Sequence, residues 1–577
     1  MRRIIKIYMR WGKAICFGIA LTLLASCISI AVPYFVGRSL ELFDSSQGTV
    51  DTPALIILLL VLALLHAANW LVSTVNGVIM LHVSQRLVFV MRSELFSKLQ
   101  RLPLGFFDTR SHGDTMSRLT NDIDNISSTV AQTTTSLFAS LFTLTGSLIV
   151  MFSLSWQLTL VVLMVVPLVA ALTNMIAKKS RAHFLAQSRS LGAINGIIEE
   201  SIVGLKVIKS FGRKDAVLRD FEEQNQALFE SGMKANIWSG FMMPLLNVIN
   251  NLIYALVALS GGILSVGYGF PMWMVVTFLG YSKQFAFPLN NIAGMFSTIQ
   301  SALAGAERVF EIMDIAEEPA DIPGAVALDD PKGRVTFEDV DFEYIDNIPV
   351  LRKINLDVMP GEIIALVGET GAGKTTIVNL LTRFYDAASG VIKIDGIPIT
   401  SIKRSSLRKC FSVVLQDTCL FTGTILDNIR YGEPGATDEQ VIEAAKLAHA
   451  HEFITKLPDG YKTIVSGSTD SLSEGQRQLL AIARAALCKT PILILDEATS
   501  SVDTKTEKDI QRAMLGLMSR HTTFLIAHRL STIRDADRII VISGGEIVES
   551  GDHEILMELR GHYYDMVVSQ LGTVEAY

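Results

Sequence analysis

Six apolar runs occupy the first half of the chain, and no water-soluble fold can absorb them. Crossing a bilayer as a helix takes about 20 residues. Ala14 to Val36, Pro53 to Val78, Thr133 to Leu154, Gln157 to Ala177, Pro244 to Val266 and Met272 to Phe296 all reach that length. Val61 to Leu65 and Val161 to Val166 have no polar face, as expected of surfaces that meet lipid. Charged residues make up 19% of the 577, against about 25% in a soluble domain, so the chain is neither disordered nor wholly soluble. At about 100 to 200 residues per domain, the length asks for at least two domains.

Basic residues beside the runs set the orientation. Arg2, Arg3, Lys6, Arg10 and Lys13 precede the first run with no acid among them, and Lys178, Lys179 and Arg181 follow the fourth. After the first run only Arg38 stands against Glu41, Asp44 and Asp51. The positive-inside rule puts the amino terminus in the cytoplasm, and six crossings return the chain there. Both termini are therefore expected in the cytoplasm of a cell bounded by a bacterial inner, or plasma, membrane. Leu24-Ala25-Ser26-Cys27 resembles a lipoprotein cleavage site. Cleavage there would remove most of one span and strand the carboxy-terminal part outside.

The external links at Ser155-Trp156 and Gly267 to Pro271 are tight, whereas the internal links, Ile79 to Gln132 and Lys178 to Met243, each exceed 50 residues. Leu87, Met91, Leu95 and Leu99 show helical spacing there. Arms of about 25 residues at 1.5 Å each reach almost 40 Å beyond the membrane. Leu104-Gly105-Phe106-Phe107-Asp108 and Gly204 to Gly212 lie near the turning points, where a protruding helix can touch a soluble domain.

From about Arg334 short β-like runs alternate with amphipathic helices, the pattern of an α/β domain. The expected strands are Val335-Thr336-Phe337, Ile363 to Val367, Val413 to Leu415, Ile492 to Leu495, Thr523 to Ile526 and Ile539 to Ile542. The expected division is residues 1–310 for the membrane part, 311–333 for a linker with Pro319, Pro323 and Pro331, and 334–577 for the α/β part.

Gly368-Glu369-Thr370-Gly371-Ala372-Gly373-Lys374-Thr375 fits the phosphate-loop pattern and sits between an apolar strand and an amphipathic helix, the context the motif requires. Its glycines let backbone N–H groups turn onto phosphate oxygens at a helix start. Lys374 then reaches the β and γ phosphates of ATP, Thr375 is a Mg²⁺ ligand, and Thr376 continues the binding turn. Ile492 to Leu495 ends in Asp496-Glu497. Two adjacent carboxylates at a strand end are costly without a cationic partner, and Mg–ATP supplies one. Asp496 holds the metal and Glu497 is placed to polarise the attacking water.

Leu472-Ser473-Glu474-Gly475-Gln476-Arg477-Gln478 lies between these motifs, with Gln416 after one strand, Ser500-Ser501-Val502-Asp503 after the acidic pair and His528 after another strand. In this order the residues resemble the ATPase domain of an ABC transporter. Arg101 to Asp124 and Glu200 to Phe211 are similar to the two cytoplasmic loops of its exporter type, so the resemblance covers almost the whole chain. It implies an all-α transmembrane domain of six long helices followed by an α/β P-loop ATPase domain, a half-transporter that must dimerise. It further implies that Tyr344 stacks on adenine, Gln416 is a catalytic residue that senses Mg²⁺ and the membrane loops, and Asp503 belongs to the nucleotide site. By the same resemblance Ser473, Gly475 and Gln476 grip the γ-phosphate bound to the other subunit, and His528 contacts the γ-phosphate opposite Glu497.

Two departures qualify it. Glu474 stands where the signature usually has glycine, and Val465 to Asp470 lacks the usual glutamate-glycine pair. Such departures occur in heterodimeric exporters, which favours a second, different half-transporter as partner over a homodimer. Rival readings are an importer built on the exporter fold, of the siderophore-uptake kind, and an ATP-binding regulatory or sensor subunit. The net charge of −7 gives no reason to expect nucleic acid. The five cysteines, at 16, 27, 410, 419 and 488, form no CxxC pair, which excludes a disulfide scaffold or zinc knuckle. Lys283 inside the sixth run should face protein or water rather than lipid. Asn247, Asn250, Asn251, His66, Asn69 and Asn76 are candidates to line the same cavity, for a small amphipathic, neutral or anionic substrate, with membrane lipid around the spans.

Overall fold

The computed structural model describes residues 2–44, 49–345, 347–416, 418–466, 472–496, 504–526 and 530–572. The chain forms two compact units, one of Met1–Arg101 with Ser111–Ile315 and one of Leu102–Arg110 with Ala316–Tyr577.

The first unit is helical. Among the described residues, five stretches are long and apolar enough to cross a membrane: Lys6–Leu42, Thr52–Leu99, His112–Leu154, Trp156–Val203 and Lys214–Tyr268. Each holds one of the first five expected runs, and the sixth lies in the helix Met272–Asp314, whose side chains are described in part. The internal links are helical extensions of the spans. Thr52–Leu99 runs unbroken for 48 residues, about 72 Å at 1.5 Å per residue, more than twice the hydrocarbon thickness of about 30 Å. Its start is fixed by Asp51, whose side chain accepts from the Ala54 N–H at 3.2 Å, with Pro53 in the first turn. The tight link after the third run is capped in the same way by Ser155, which accepts from the Leu158 N–H. Gly269, at φ 68°, closes the helix before the last link.

Met151, Leu158, Val257, Phe278 and Tyr281 pack the core of this unit. Leu60, Leu64 and Trp70 stay exposed along the second span, a surface suited to lipid. Near Arg118–Asp122, ion pairs tie the last helix down: Arg308 donates twice to the buried Asp122, and the buried Arg118 reaches Glu311 at 2.8 Å and Asp114 at 2.8 Å.

Among its described residues the second unit holds two main sheets and a two-stranded antiparallel pairing of Gly423–Thr424 with Ile464–Val465. Strands are numbered β1 Val335–Ile345, β2 Ile348–Val358, β3 Ile363–Gly368, β4 Ser389–Ile394, β5 Ile397–Pro398, β6 Phe411–Val414, β7 Ile492–Asp496, β8 Thr522–Ile526, β9 Arg538–Ser543 and β10 Glu546–Gly551. The larger sheet runs β10-β9-β3-β8-β7-β6 and is parallel except for its β10 edge; the smaller, β2-β1-β4-β5, is antiparallel. The six expected strands are present. That expected at Val413 to Leu415 begins two residues earlier, because Phe411, Ser412 and Val414 are the buried positions and Leu415 is exposed.

β2, β4, β5 and β10 were not expected. β2 alternates buried Leu351, Ile354 and Leu356 with exposed charged residues, and β10 has no buried position. The last membrane helix ends at Asp314, and the segment after it is stitched to the second unit. Glu318 pairs with Arg408, Asp321 accepts from the Arg404 N–H at 3.0 Å, and Val326 bridges to Ile402.

Candidate functional site

Parallel register brings the chemistry to one sheet edge. Leu366 of β3 is level with Ile526 of β8, and Ile526 is level with Asp496 of β7. β7 also pairs with β6, Leu495 level with Val414, so Gln416 leaves the sheet beside Asp496. Strand ends Gly368, Asp496 and Val414 therefore share the carboxyl edge, where open α/β sheets take their ligands.

The turn after β3 is built around glycine. Gly368, Gly371 and Gly373 have φ values of 152°, 88° and 106°, a region that L side chains rarely adopt. A Cβ on Gly368 would come within 2.2 Å of the Ile542 carbonyl, and one on Gly373 within 2.5 Å of Leu351. The helix Lys374–Leu381 starts at once. Lys374 is 6% exposed and donates to the Gly368 and Glu369 carbonyls at 2.8 and 2.9 Å, leaving one of its N–H bonds for an anion. Burial draws its pKa below the usual lysine value, and the nearby Asp496 carboxylate opposes that shift. Ala372 is buried in the turn, while Glu369, Thr370 and the first-turn Thr375 remain open.

Tyr344 joins this constellation. It lies in β1, and its hydroxyl sits 3.2 Å from the hydroxyl of the buried Thr376 and accepts from Asn379. Its ring, 46% exposed, stands edge-on to Phe342 at 4.8 Å and to Tyr385 at 5.0 Å. Tyr385 was not foreseen. It follows the phosphate-loop helix directly after Phe384, and only its polar tip in Phe384-Tyr385-Asp386 hints at a contact beyond the core.

Ser473, Glu474, Gly475 and Gln476 open the helix Glu474–Leu487. Ser473 accepts from the Gln476 N–H at 3.3 Å, and the Gln476 side chain accepts from the Ser473 N–H at 3.0 Å. This reciprocal box fixes the start of a 14-residue helix whose dipole favours an anion there. Glu474 is exposed in its first turn and Gly475 is buried. The hydrogen bonds of Ser473 and Gln476 close on each other rather than on the phosphate loop. Glu497, Asp503 and His528 lie outside the described residues.

Within the membrane unit, a cavity of about 660 Å³ opens between the first three spans, lined among others by Thr22, Ser26, Asn69, Ser73, Asn76 and Gln132. Asn76 donates to the Thr22 hydroxyl at 3.0 Å, and its own buried carbonyl oxygen has no hydrogen-bond partner among the described residues. Of the polar span residues singled out in the sequence, Asn69 and Asn76 line this cavity. Lys283 packs its ammonium 4.9 Å from the centre of the Tyr254 ring, so it meets protein on one side.

A multi-pass helical membrane unit fused to a nucleotide-binding α/β unit defines an ATP-driven membrane transporter. Residues 15–289 match the family model for the ABC transporter transmembrane region, and residues 351–500 match the ABC transporter model. The chain belongs to the ABC transporter family, as an exporter half-transporter that couples ATP hydrolysis to transport. It is 42% identical to an uncharacterized ABC transporter ATP-binding protein, YfiC, of Bacillus subtilis, over 98% of this chain and 93% of the relative. It is 45% identical to the fatty acid ABC transporter ATP-binding/permease protein of Mycobacterium bovis (88% and 80%) and 38% identical to the ATP-dependent lipid A-core flippase of Syntrophus aciditrophicus (85% and 82%). The structure of a bacterial Atm1-family ABC exporter with ATP bound superposes with a TM-score of 0.78 at 29% identity, covering 97% and 98% of the two chains. ABC exporters of this kind function as dimers.

Proposed function

We propose that the chain is one subunit of a heterodimeric exporter that moves a small amphipathic substrate out of a bacterial cytoplasm, with its ATPase domain and both termini inside. The observation that carries the nucleotide chemistry is the shared sheet edge of Gly368, Asp496 and the turn to Gln416, with Lys374 buried beside it.

In this reading the turn Gly368 to Gly373 and Lys374 cradle the phosphates of ATP, and Thr376 holds the turn against Tyr344. Tyr344 offers an open aromatic face to adenine. Thr375, Gln416 and Asp496 suit Mg²⁺, since all three are oxygen donors at the same edge. Bound there, the metal would neutralise phosphate charge. Glu497 polarises the attacking water, and His528 and Asp503 contact the nucleotide. The Ser473 box leaves the backbone N–H groups of Glu474 and Gly475 for the γ-phosphate held by the other subunit, while the Gln476 N–H is held by Ser473.

Three observations support a second subunit. The signature's hydrogen bonds are satisfied without the chain's own phosphate loop. Ile202, Val203, Leu205, Val207 and Phe211, on the second cytoplasmic loop, expose 48 to 84% of their surface, an apolar patch that needs cover. Glu474 also places a carboxylate where the partner's γ-phosphate would sit. The cavity with Asn69 and Asn76, together with relatives named for fatty acid and lipid A-core, supports an amphipathic cargo.

The test of the site is Lys374→Ala, read by fluorescent-ATP binding to the purified transporter in nanodiscs. Loss of at least about tenfold in affinity is expected, since the residue supplies a charge-assisted contact to phosphate. Unchanged affinity would reject the assignment. The test of pairing is purification from the native membrane, where recovery of this chain with only itself would reject the heterodimer.

A further inference from the structure

We propose that Tyr385 is a positioning residue that links the adenine side of the ATP site to the first cytoplasmic loop, through its ring to Tyr344 and its hydroxyl to Asp108. This rests on the reading of Tyr344 as the adenine-stacking residue. The short helix Leu104–Thr109 belongs to the second unit, although chain continuity makes it the turning point between the second and third spans. Gly105 lies under the Tyr385 ring, so close that a Cβ would meet ring carbon Cε1 at 3.2 Å and the hydroxyl at 3.3 Å. The Tyr385 hydroxyl donates to the Asp108 carboxylate. Phe106 is buried at 6% exposure, stands edge-on to Phe107 at 5.0 Å and carries Arg110 over its ring. The short helix is thus anchored by packing, with its one charged tip committed to Tyr385.

On its other side Tyr385 stands edge-on to Tyr344 at 5.0 Å and to Phe342 at 5.7 Å. Tyr344 in turn touches Thr376, the residue after Thr375. A continuous set of contacts therefore runs from Asp108 through Tyr385 and Tyr344 to the start of the phosphate-loop helix. Burial and the neighbouring carboxylate push the Tyr385 hydroxyl well above its usual pKa, so it stays a donor. Adenine that fixes the Tyr344 ring also restricts Tyr385, and through it the Leu104–Thr109 helix. Phosphates alone reach Lys374 and the glycine turn but do not touch this ring. The consequence is a base-dependent signal: the loop helix responds to the nucleoside part of ATP and not only to its phosphates.

The experiment is hydrogen–deuterium exchange of segment 104–109 in the full transporter in nanodiscs, with a non-hydrolysable ATP analogue or with inorganic triphosphate, each at saturation. For the unaltered chain, the analogue should slow exchange about two- to tenfold more than triphosphate, the range that one net hydrogen bond corresponds to. Tyr385→Phe, which keeps the ring and removes only the donor, should erase that difference while the analogue still binds. Asp108→Ala should do the same, and the double variant should add nothing further. Equal protection by triphosphate and analogue, or a full difference in Tyr385→Phe, would overturn the link. If Tyr385→Phe does not fold, Asp108→Ala decides alone, because Asp108 is exposed. Failure of the reading beneath it is separate: Tyr344→Leu would then bind the analogue as tightly as the unaltered chain.

Discussion

Lys374 shows how far a single buried charge constrains a site. An ammonium at 6% exposure is held by two carbonyls and the field of Asp496, an arrangement that only an incoming anion completes. Glu497 stands next in sequence to Asp496. Glu497→Gln should keep ATP binding and lower steady-state hydrolysis at least about tenfold, because general-base assistance contributes roughly 10² to 10⁴. Undiminished phosphate release by the purified variant would remove Glu497 from that role. The phosphate loop was legible in the sequence because its glycines are forced by backbone geometry and cannot vary quietly. Tyr385 was not legible: it is one aromatic near a helix end, and its meaning depends on Asp108, 277 positions away.

At the scale of elements, the helix Glu474–Leu487 carries a conflict between stability and binding. Its first-turn carboxylate at Glu474 complements the helix dipole, worth about 0.3 to 1 kcal/mol. The same carboxylate repels a phosphate brought to that end. Glu474→Gly should therefore melt at a slightly lower temperature and yet bind ATP more tightly in the assembled dimer. A variant more stable and no tighter would refute the trade. Ser473→Ala removes the cap and should cost about 1 kcal/mol of stability, read as a lower melting temperature of the nucleotide-free transporter.

Strands of the parallel sheet were readable because β3, β7 and β8 are buried on both faces and so spell out continuous apolar runs. β2 and β10 were missed because one-sided or edge strands mix charge into the pattern, and β4 because Gly390 and Lys393 break it. The membrane spans were plain for the opposite reason: lipid leaves a long run no polar alternative.

For the whole molecule, exposed Ser473 and Glu474 and the exposed apolar residues Ile202, Val203, Leu205, Val207 and Phe211 leave surfaces for the second half of a dimer, which our proposal makes a different chain. Expressed without a partner and reconstituted in liposomes, it should hydrolyse ATP poorly, and co-expression with the matching half-transporter should restore turnover. Strong activity from the lone chain with two equivalent sites would instead establish a homodimer. Chelation of divalent cations by EDTA should abolish turnover in either assembly, and magnesium should restore it.

The helix Leu104–Thr109 belongs to the ATPase unit although the chain reaches it between two spans. That bears on how this protein can be cut. A recombinant ATPase fragment begun at Ala316 would include every residue we propose for the nucleotide and still lack nine residues of its own fold. Tyr385 would lose the glycine beneath its ring and the carboxylate at its hydroxyl, next to the Tyr344 ring that it touches. Kinetic constants taken from such a fragment would describe a site with one wall missing, and a fusion that restores 102–110 in the same chain is the better reagent.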